Sequence, residues 1–255
     1  MGQKIAFGFG MLANQMFPAA LGVFIIVLVQ DLGFAALLWG IIQFLPRVFD
    51  AITDPIMGFI SDNTRSKWGR RRQYVFIGAI LMGIAYIAMW QLHKDDGVMY
   101  NFIYFLSWSL VFYLGLTIFS VPYVAMGYEI SEDFHERTDI MAVAQFIGQW
   151  AWVIAPWFWV ILYDPTWFPE GADQGVRELA VWVAIPCTLF ALVPAIFIKS
   201  KPTLDRTDFV PISASQVIRS VKEIFVSAFE AFRIKQFRQI AGATFLIFNS
   251  FNVIA

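Results

Sequence analysis

Charge and cysteine are the scarcest features of this 255-residue chain. Asp, Glu, Lys and Arg make up only 15% of it, against about 25% in an ordinary soluble domain. Hydrophobic residues fill the space, at 59%, with 18% aromatic. That shortage of charge excludes a typical water-soluble domain and makes an integral membrane protein the expected class. The single cysteine, Cys187, stands in an apolar run, so no intrachain disulfide can form. Both histidines, His93 and His135, fall in expected loops without metal-ligand companions. A Gly-rich phosphate loop, a metal-ligand cluster and a Ser, His and Asp constellation are also missing, so neither an enzyme nor a cofactor is expected. The net charge of −1 leaves no basic surplus, and nucleic acid is not an expected partner. Nor does the N-terminus read as a cleavable leader. After Lys4 the apolar run continues to Val29, roughly 25 residues and too long for the apolar segment of a signal peptide.

What is present is a series of long apolar runs. A helix needs about 20 mostly apolar residues to cross a bilayer core of about 30 Å. Residues 5–29, 35–60, 74–92, 99–126, 140–163 and 179–198 meet that requirement, and a further run starts near Ile240 and is still apolar at Ala255. The expected division is a six-helix bundle over 1–198, a linker over 199–239 and the start of a seventh span over 240–255, so the chain reads as a fragment of a longer membrane protein. Basic residues sort by side. Arg65, Lys67, Arg70, Arg71 and Arg72 lie between spans two and three, and Lys199, Lys201, Arg206, Arg219, Lys222, Arg233, Lys235 and Arg238 follow span six. Loops of the opposite parity have only Lys94 and Arg177, which predicts a cytoplasmic N-terminus in a plasma (inner) membrane. Trp39, Trp90, Tyr163 and Trp167 fall near the predicted outer ends as an aromatic belt. Within the linker, Val217, Val221, Ile224, Ala228 and Phe232 share one helical face. Ser213 or Ser215 is available as its cap, giving an amphipathic helix at the membrane surface.

The second run reads FLPRVFDAITDPIMGFISD, residues 44–62, and places Arg47, Asp50 and Asp54 inside an apolar span. A charge at the centre of a spanning helix costs about 2.5–3.5 kcal/mol on insertion scales, so it marks function. At 1.5 Å per residue, Asp50 lies about 15 Å from Ile60, near the midplane. Asp50 and Asp54 are one turn apart and share a face with the Thr53 hydroxyl close by. Pro55 cannot donate to the Ala51 carbonyl, which leaves an acceptor beside the pair. Such a cluster of hard oxygens suits sodium or another small hard cation, and a proton could neutralise the pair as well. The bland alternative is a static lock in which Arg47 pairs with the acids.

The turn after this run, SDNTRSKWGRRR, is basic, whereas GYEISEDFHERTD, residues 127–139, is rich in acids. Their proximity predicts reversible ion pairs between loops, with Asp62, Arg65, Arg70, Glu129 and Arg137 as a gating set, because exposed pairs are worth only about 0–1 kcal/mol each.

DAITDPIMGFISDNTRSKWGRR and SVPYVAMGYEISEDFHERT, together with the opening FGFG of residues 7–10, resemble the glycoside-pentoside-hexuronide:cation symporter family of the major facilitator superfamily. The aspartate pair before a proline, the TRSxWGR loop and the VPY followed by Glu136-Arg137 match it in order and spacing. That resemblance implies an all-α membrane protein: the N-terminal six-helix bundle of a twelve-helix carrier working by alternating access, plus a cytoplasmic linker helix and the start of helix seven. The implied partners are a small-molecule solute, membrane lipid and the C-terminal half of the same transporter. Oligomeric state is open.

By the same resemblance Asp50, Thr53, Asp54 and Thr117 fall on cation ligands, with Thr53 in place of an Asn, and sodium or a proton is the implied coupling ion. The implied solute positions have changed. Asn14 and Gln15 stand where sugar carriers have a Lys-Asp pair, Ser120 replaces an Asp, Val124 a stacking Trp, and Gln145 an Arg. Related eukaryotic carriers with this frame move lysolipids or other non-sugar cargo, so solute class is left open. A non-transporting membrane subunit on the same fold, binding a partner or lipid, is the competing expectation. Trp150, Trp152, Trp157 and Trp159 crowd span five, where most are expected to face lipid or neighbouring helices.

Overall fold

The computed structural model describes residues 2–169, 171–198 and 212–254. Lys199, Lys201, Arg206 and the first part of the expected linker lie outside the described residues. The chain has two compact units, Met1–Phe209 and Val210–Ala255.

The first unit has six helices: α1 (Gly2–Gln30), α2 (Ala36–Asp62), α3 (Arg72–Met89), α4 (Val98–Gly127), α5 (Phe134–Leu162) and α6 (Ala172–Phe197). All six are long and apolar enough to span a bilayer, and the chain is an integral membrane protein. Several helices extend beyond their apolar runs because polar residues at the ends are helical too. α5 starts at Phe134 rather than Ile140, since the Asp133 side chain caps it by accepting from the Glu136 N–H at 2.8 Å. His135, expected in a loop, therefore belongs to the first turn of α5. α6 likewise starts at Ala172 rather than Leu179, and α3 stops at Met89 rather than Leu92.

Five helices make the tight interior. α3 packs on α4, α1 on α5 and α6, and α3 on α6, while α2 leans mainly on α4. Lipid tails are as apolar as leucine side chains, so close packing rather than water exclusion must hold such helices together. Gly78 and Gly115 let α3 and α4 meet backbone to backbone: a Cβ on Gly78 would lie 2.4 Å from the Phe119 amide nitrogen, and one on Gly115 2.7 Å from that of Met82. Aromatic rings fill the space between α1, α3 and α4. Phe17 meets Tyr86 edge-on with centroids 5.0 Å apart, and Phe24 meets Trp90 at 5.5 Å. Trp90 is thus fully buried and is not part of an interfacial belt. Trp39, Tyr163 and Trp167 are exposed.

Arginines tie α3 and α6 at both ends. Arg72 donates from Nε to the Ala195 carbonyl at 2.7 Å and from Nη2 to that of Ile196 at 2.9 Å, which satisfies carbonyls in the last turn of α6. Arg177 of α6 donates to the Leu92 carbonyl beyond α3 at 2.6 Å. Near that second end, the Tyr163 hydroxyl donates to Asp31 Oδ2 at 2.9 Å and joins the segments after α5 and α1.

In the second unit, α7 (Ala214–Ala231) is capped by Ser213, which accepts from the Gln216 N–H. α8 (Lys235–Ile254) follows after a short turn and starts before Ile240, where the apolar run begins.

Gly78→Ala is expected to destabilise the bundle by about 1–3 kcal/mol, the usual cost of overpacking. Gly22→Ala, where an added Cβ meets nothing within 4 Å, should be neutral or slightly stabilising. Thermal unfolding in detergent measures both; equal midpoints would mean that α3 and α4 do not depend on this contact.

Candidate cation and solute site

The paired acids sit on the most loosely packed span. α2 buries few side chains, so its polar groups must find partners on α4 or stay open. Thr117 of α4 is buried and donates from Oγ1 to Asp54 Oδ1 at 2.8 Å. Its hydroxyl also lies 3.4 Å from that of Thr53, which donates to the Phe49 carbonyl at 3.1 Å in its own helix. Asp54, Thr53 and Thr117 therefore form one connected group across the α2–α4 contact. Asp50, one turn along, keeps 18% of its side chain exposed, yet its Oδ1 is buried without a hydrogen-bond partner. Asp54 itself is exposed within this unit.

Arg47 does not lock the pair. Its Nη1 approaches Asp50 Oδ2 only to 4.0 Å, its side chain is 69% exposed, and the guanidinium lies 5.6 Å from the centre of the Tyr113 ring. A single long contact leaves Asp50 Oδ1 and the exposed carboxylate of Asp54 with capacity to spare. Two carboxylates flanked by two hydroxyls form an oxygen-only donor set, fit for a small hard cation. Tyr113, which shares Arg47 with this group, carries no sequence signal of that placement.

At the basic end of the bundle, ion pairs join α2 to α4. Arg70 pairs with Glu129 and reaches the Asp62 carbonyl at 3.4 Å. Arg71 pairs with Asp62, lies 3.0 Å from Glu129 Oε1, and donates to the Ala125 carbonyl at 2.7 Å. Asp62, Arg70 and Glu129 are brought together as expected. The central residue is nevertheless Arg71, buried to 8% exposure, which the sequence does not single out from its basic neighbours. Arg65 is exposed in the same loop. Arg137 lies apart, half-buried on α5, and forms no ion pair among the described residues.

The expected solute positions are spread over three helices. Asn14 donates to the Met11 sulfur at 4.0 Å in its own helix. Gln15 Oε1 accepts from Trp152 Nε1 of α5 at 3.1 Å. Ser120 and Val124 are half-buried on α4. Gln145 is exposed on α5, where it lines a groove of about 490 Å³ with Tyr128, Arg137 and Met141. Gln149 and Trp152 follow Gln145 along α5 at four and seven residues, a helical spacing visible in the sequence.

The family described as MFS/sugar transport protein matches residues 6–234. Similar curated proteins include an uncharacterized symporter of Synechocystis sp., 28% identical over 188 residues, covering 71% of this chain and 34% of that protein. A lactose permease of Leuconostoc lactis is 28% identical over 243 residues, 88% of this chain and 37% of that protein. A sodium-dependent lysophosphatidylcholine symporter 1 of Xenopus tropicalis is 32% identical over 140 residues, 52% of this chain and 26% of that protein. The chain spans about a third of the length of the curated relatives it matches.

Arg71→Gln removes charge-assisted hydrogen bonds to Asp62, Glu129 and the Ala125 carbonyl and should cost about 2 kcal/mol. Lys67→Gln, at an exposed loop position, should stay within about 0.5 kcal/mol of the parent. Unfolding midpoints of the purified variants compare the two, and an Arg71 variant as stable as the Lys67 variant would contradict the ordering.

Proposed function

The chain belongs to the MFS/sugar transport protein family, and from that membership we propose that it forms the N-terminal half of a cation-coupled symporter, completed by a C-terminal half and carrying a small solute. Asp50, Thr53, Asp54 and Thr117 hold the coupling ion, sodium or a proton. The observation that carries this reading is the contrast within the pair: Asp54 is already engaged by Thr117, whereas Asp50 Oδ1 is buried and unpartnered. A cation between the carboxylates would supply the missing contact and cancel their repulsion. Names of the relatives point the same way, since several are called symporters and one sodium-dependent.

In this mechanism the ion bridges α2 and α4, steadies the loosely packed helix, and so favours solute binding by Asn14, Gln15, Ser120, Val124 and Gln145. Linkage makes the coupling reciprocal: the solute tightens the cation site by the factor by which the cation tightens the solute site. Exchange between inward- and outward-facing forms follows from rocking of the two halves about the central site. Asp62, Arg70, Arg71 and Glu129 close the basic end in one form and separate in the other, with Arg65 and Arg137 as further gating residues. Basic loops place that end, and the N-terminus, on the cytoplasmic side of a plasma (inner) membrane. The solute is a sugar-like molecule or a lysolipid, read by amides and a hydroxyl in place of charged groups.

Asp54→Asn keeps the side-chain volume but removes the charge, and is expected to abolish cation-stimulated uptake while leaving expression intact. Uptake of radiolabelled solute by the full-length carrier, with and without sodium and across a pH gradient, measures this. Unchanged stimulation in the variant would refute the assignment.

A further inference from the structure

Most of α5 is exposed in this unit, but its exposed surface is of two kinds. One side carries Phe146, Trp150, Val153 and Trp157, all apolar and well exposed, as a lipid-facing surface requires. The other side carries Gln145, Gln149 and Trp152, at spacings of four and three that place them on one stripe. These three reach about 10 Å along the helix at 1.5 Å per residue. Gln145 and Gln149 are exposed and form no hydrogen bond among the described residues. Uncharged amides of this kind do not face acyl chains without partners, because unpaired polar groups in hydrocarbon are costly. The stripe therefore faces a water-filled cavity or another helix, not acyl chains.

Three contacts fix where that side looks. The Trp152 indole donates to Gln15 of α1 at 3.1 Å. Gly148, one turn before Trp152, lets α1 come close: a Cβ there would meet the Met11 Cγ at 2.7 Å and the Gln15 Cγ at 3.4 Å. Met141, one turn before Gln145, reaches Gly127 of α4, where an added Cβ would lie 2.7 Å from its methyl carbon. The stripe thus lies beside the α1 contact and, at its Met141 end, close to the end of α4. It continues the groove lined by Gln145 and Tyr128.

We propose that Trp152, held by Gln15, is a solute-contacting residue, and that Gln145, Gln149 and Trp152 form one wall of the solute path. This deepens the transport reading above and rests on it. The hydrogen bond to Gln15 occupies the only polar atom of the indole and fixes its orientation, leaving the ring of this exposed residue as a flat apolar platform. The neighbouring amides offer both donors and acceptors. Such a wall suits an uncharged portion of a solute that has one apolar, C–H-rich face and a hydrogen-bonding edge.

The test uses the full-length carrier in membrane vesicles. Cys187, the one cysteine of this chain, is buried; in a carrier with Cys187→Ala and every cysteine of the C-terminal half also replaced, single-cysteine variants Gln149→Cys and Trp152→Cys can be compared with Ile84→Cys, an exposed apolar position of α3. A charged, membrane-impermeant methanethiosulfonate reagent reacts only with thiols in contact with water. Gln149→Cys and Trp152→Cys are expected to react at least about tenfold faster than Ile84→Cys, and equally slow reaction at all three positions would overturn the proposal. Uptake of lactose and of lysophosphatidylcholine supplies the second readout. For whichever probe is carried, Trp152→Ala should raise KM about tenfold, and Trp152→Phe by less, with maximal rate and cation stimulation unchanged. An unchanged KM in Trp152→Ala would overturn the solute contact, whereas a lowered maximal rate at constant KM would assign Trp152 to structure alone. If neither probe is carried, the labelling rates decide. Failure of the cation assignment would be distinct: Asp54→Asn would keep its stimulation while the labelling pattern stood.

Discussion

A bilayer gives two apolar helices no reason to leave lipid for each other, and everything in this bundle follows from how that is overcome. Where α3 meets α4, glycines bring the backbones into contact, so attraction comes from many short-range contacts that lipid tails would not match. Where α1 meets α3 and α4, edge-on rings from Phe17, Phe24, Tyr86 and Trp90 perform the same role with larger surfaces. Both devices demand tight fit, and both are concentrated in the interior. α2 has neither. Few of its side chains are buried, and its links to α4 are polar: the threonine and aspartate group near mid-membrane, and the arginine pairs at the basic end.

That division assigns different mechanical roles to packing and to charge. Packed glycines and rings cannot be loosened by degrees without opening voids. Hydrogen bonds and ion pairs exchange partners readily, because their strength depends on what else is within reach and on whether water is admitted. A helix held by polar links is one whose position responds to an ion. The placement of acids on the least packed span is thus consistent with a site that senses occupancy. In the tightly packed α3–α4 contact the same acids would have been both more costly and less responsive.

Much of this was legible from residue order. Apolar length marked all six spans, and the acids inside the second run marked the span whose side chains make polar links to α4. What escaped is instructive. Helix starts at Phe134 and Ala172 lie beyond the apolar runs because capping and polar first turns extend a helix without changing its hydropathy. Trp90 reads as interfacial from its position in the chain, but whether an indole points to lipid or to the interior depends on the rotation of α3, which mean apolarity does not encode. Among Arg70, Arg71 and Arg72 the chain itself offers no ranking. Their directions diverge at the start of α3, so that Arg71 turns inward to Asp62 and Ala125 while Arg72 turns to α6. The contact between Gln15 and Trp152 joins residues 137 apart in sequence, which no local pattern reveals.

The two arginines that join α3 to α6 run in opposite senses: Arg72 at the start of α3 reaches carbonyls in the last turn of α6, and Arg177 in the first turns of α6 reaches the Leu92 carbonyl past the end of α3. An antiparallel pair pinned this way at both tips cannot slide. Any axial slip that relieved one pin would drag the other, and a shift of a full turn would strand both guanidinium groups among apolar side chains. α3 and α6 therefore behave as a splint of constant length, and whatever flexing the molecule undergoes must be taken up by the remaining helices turning around it.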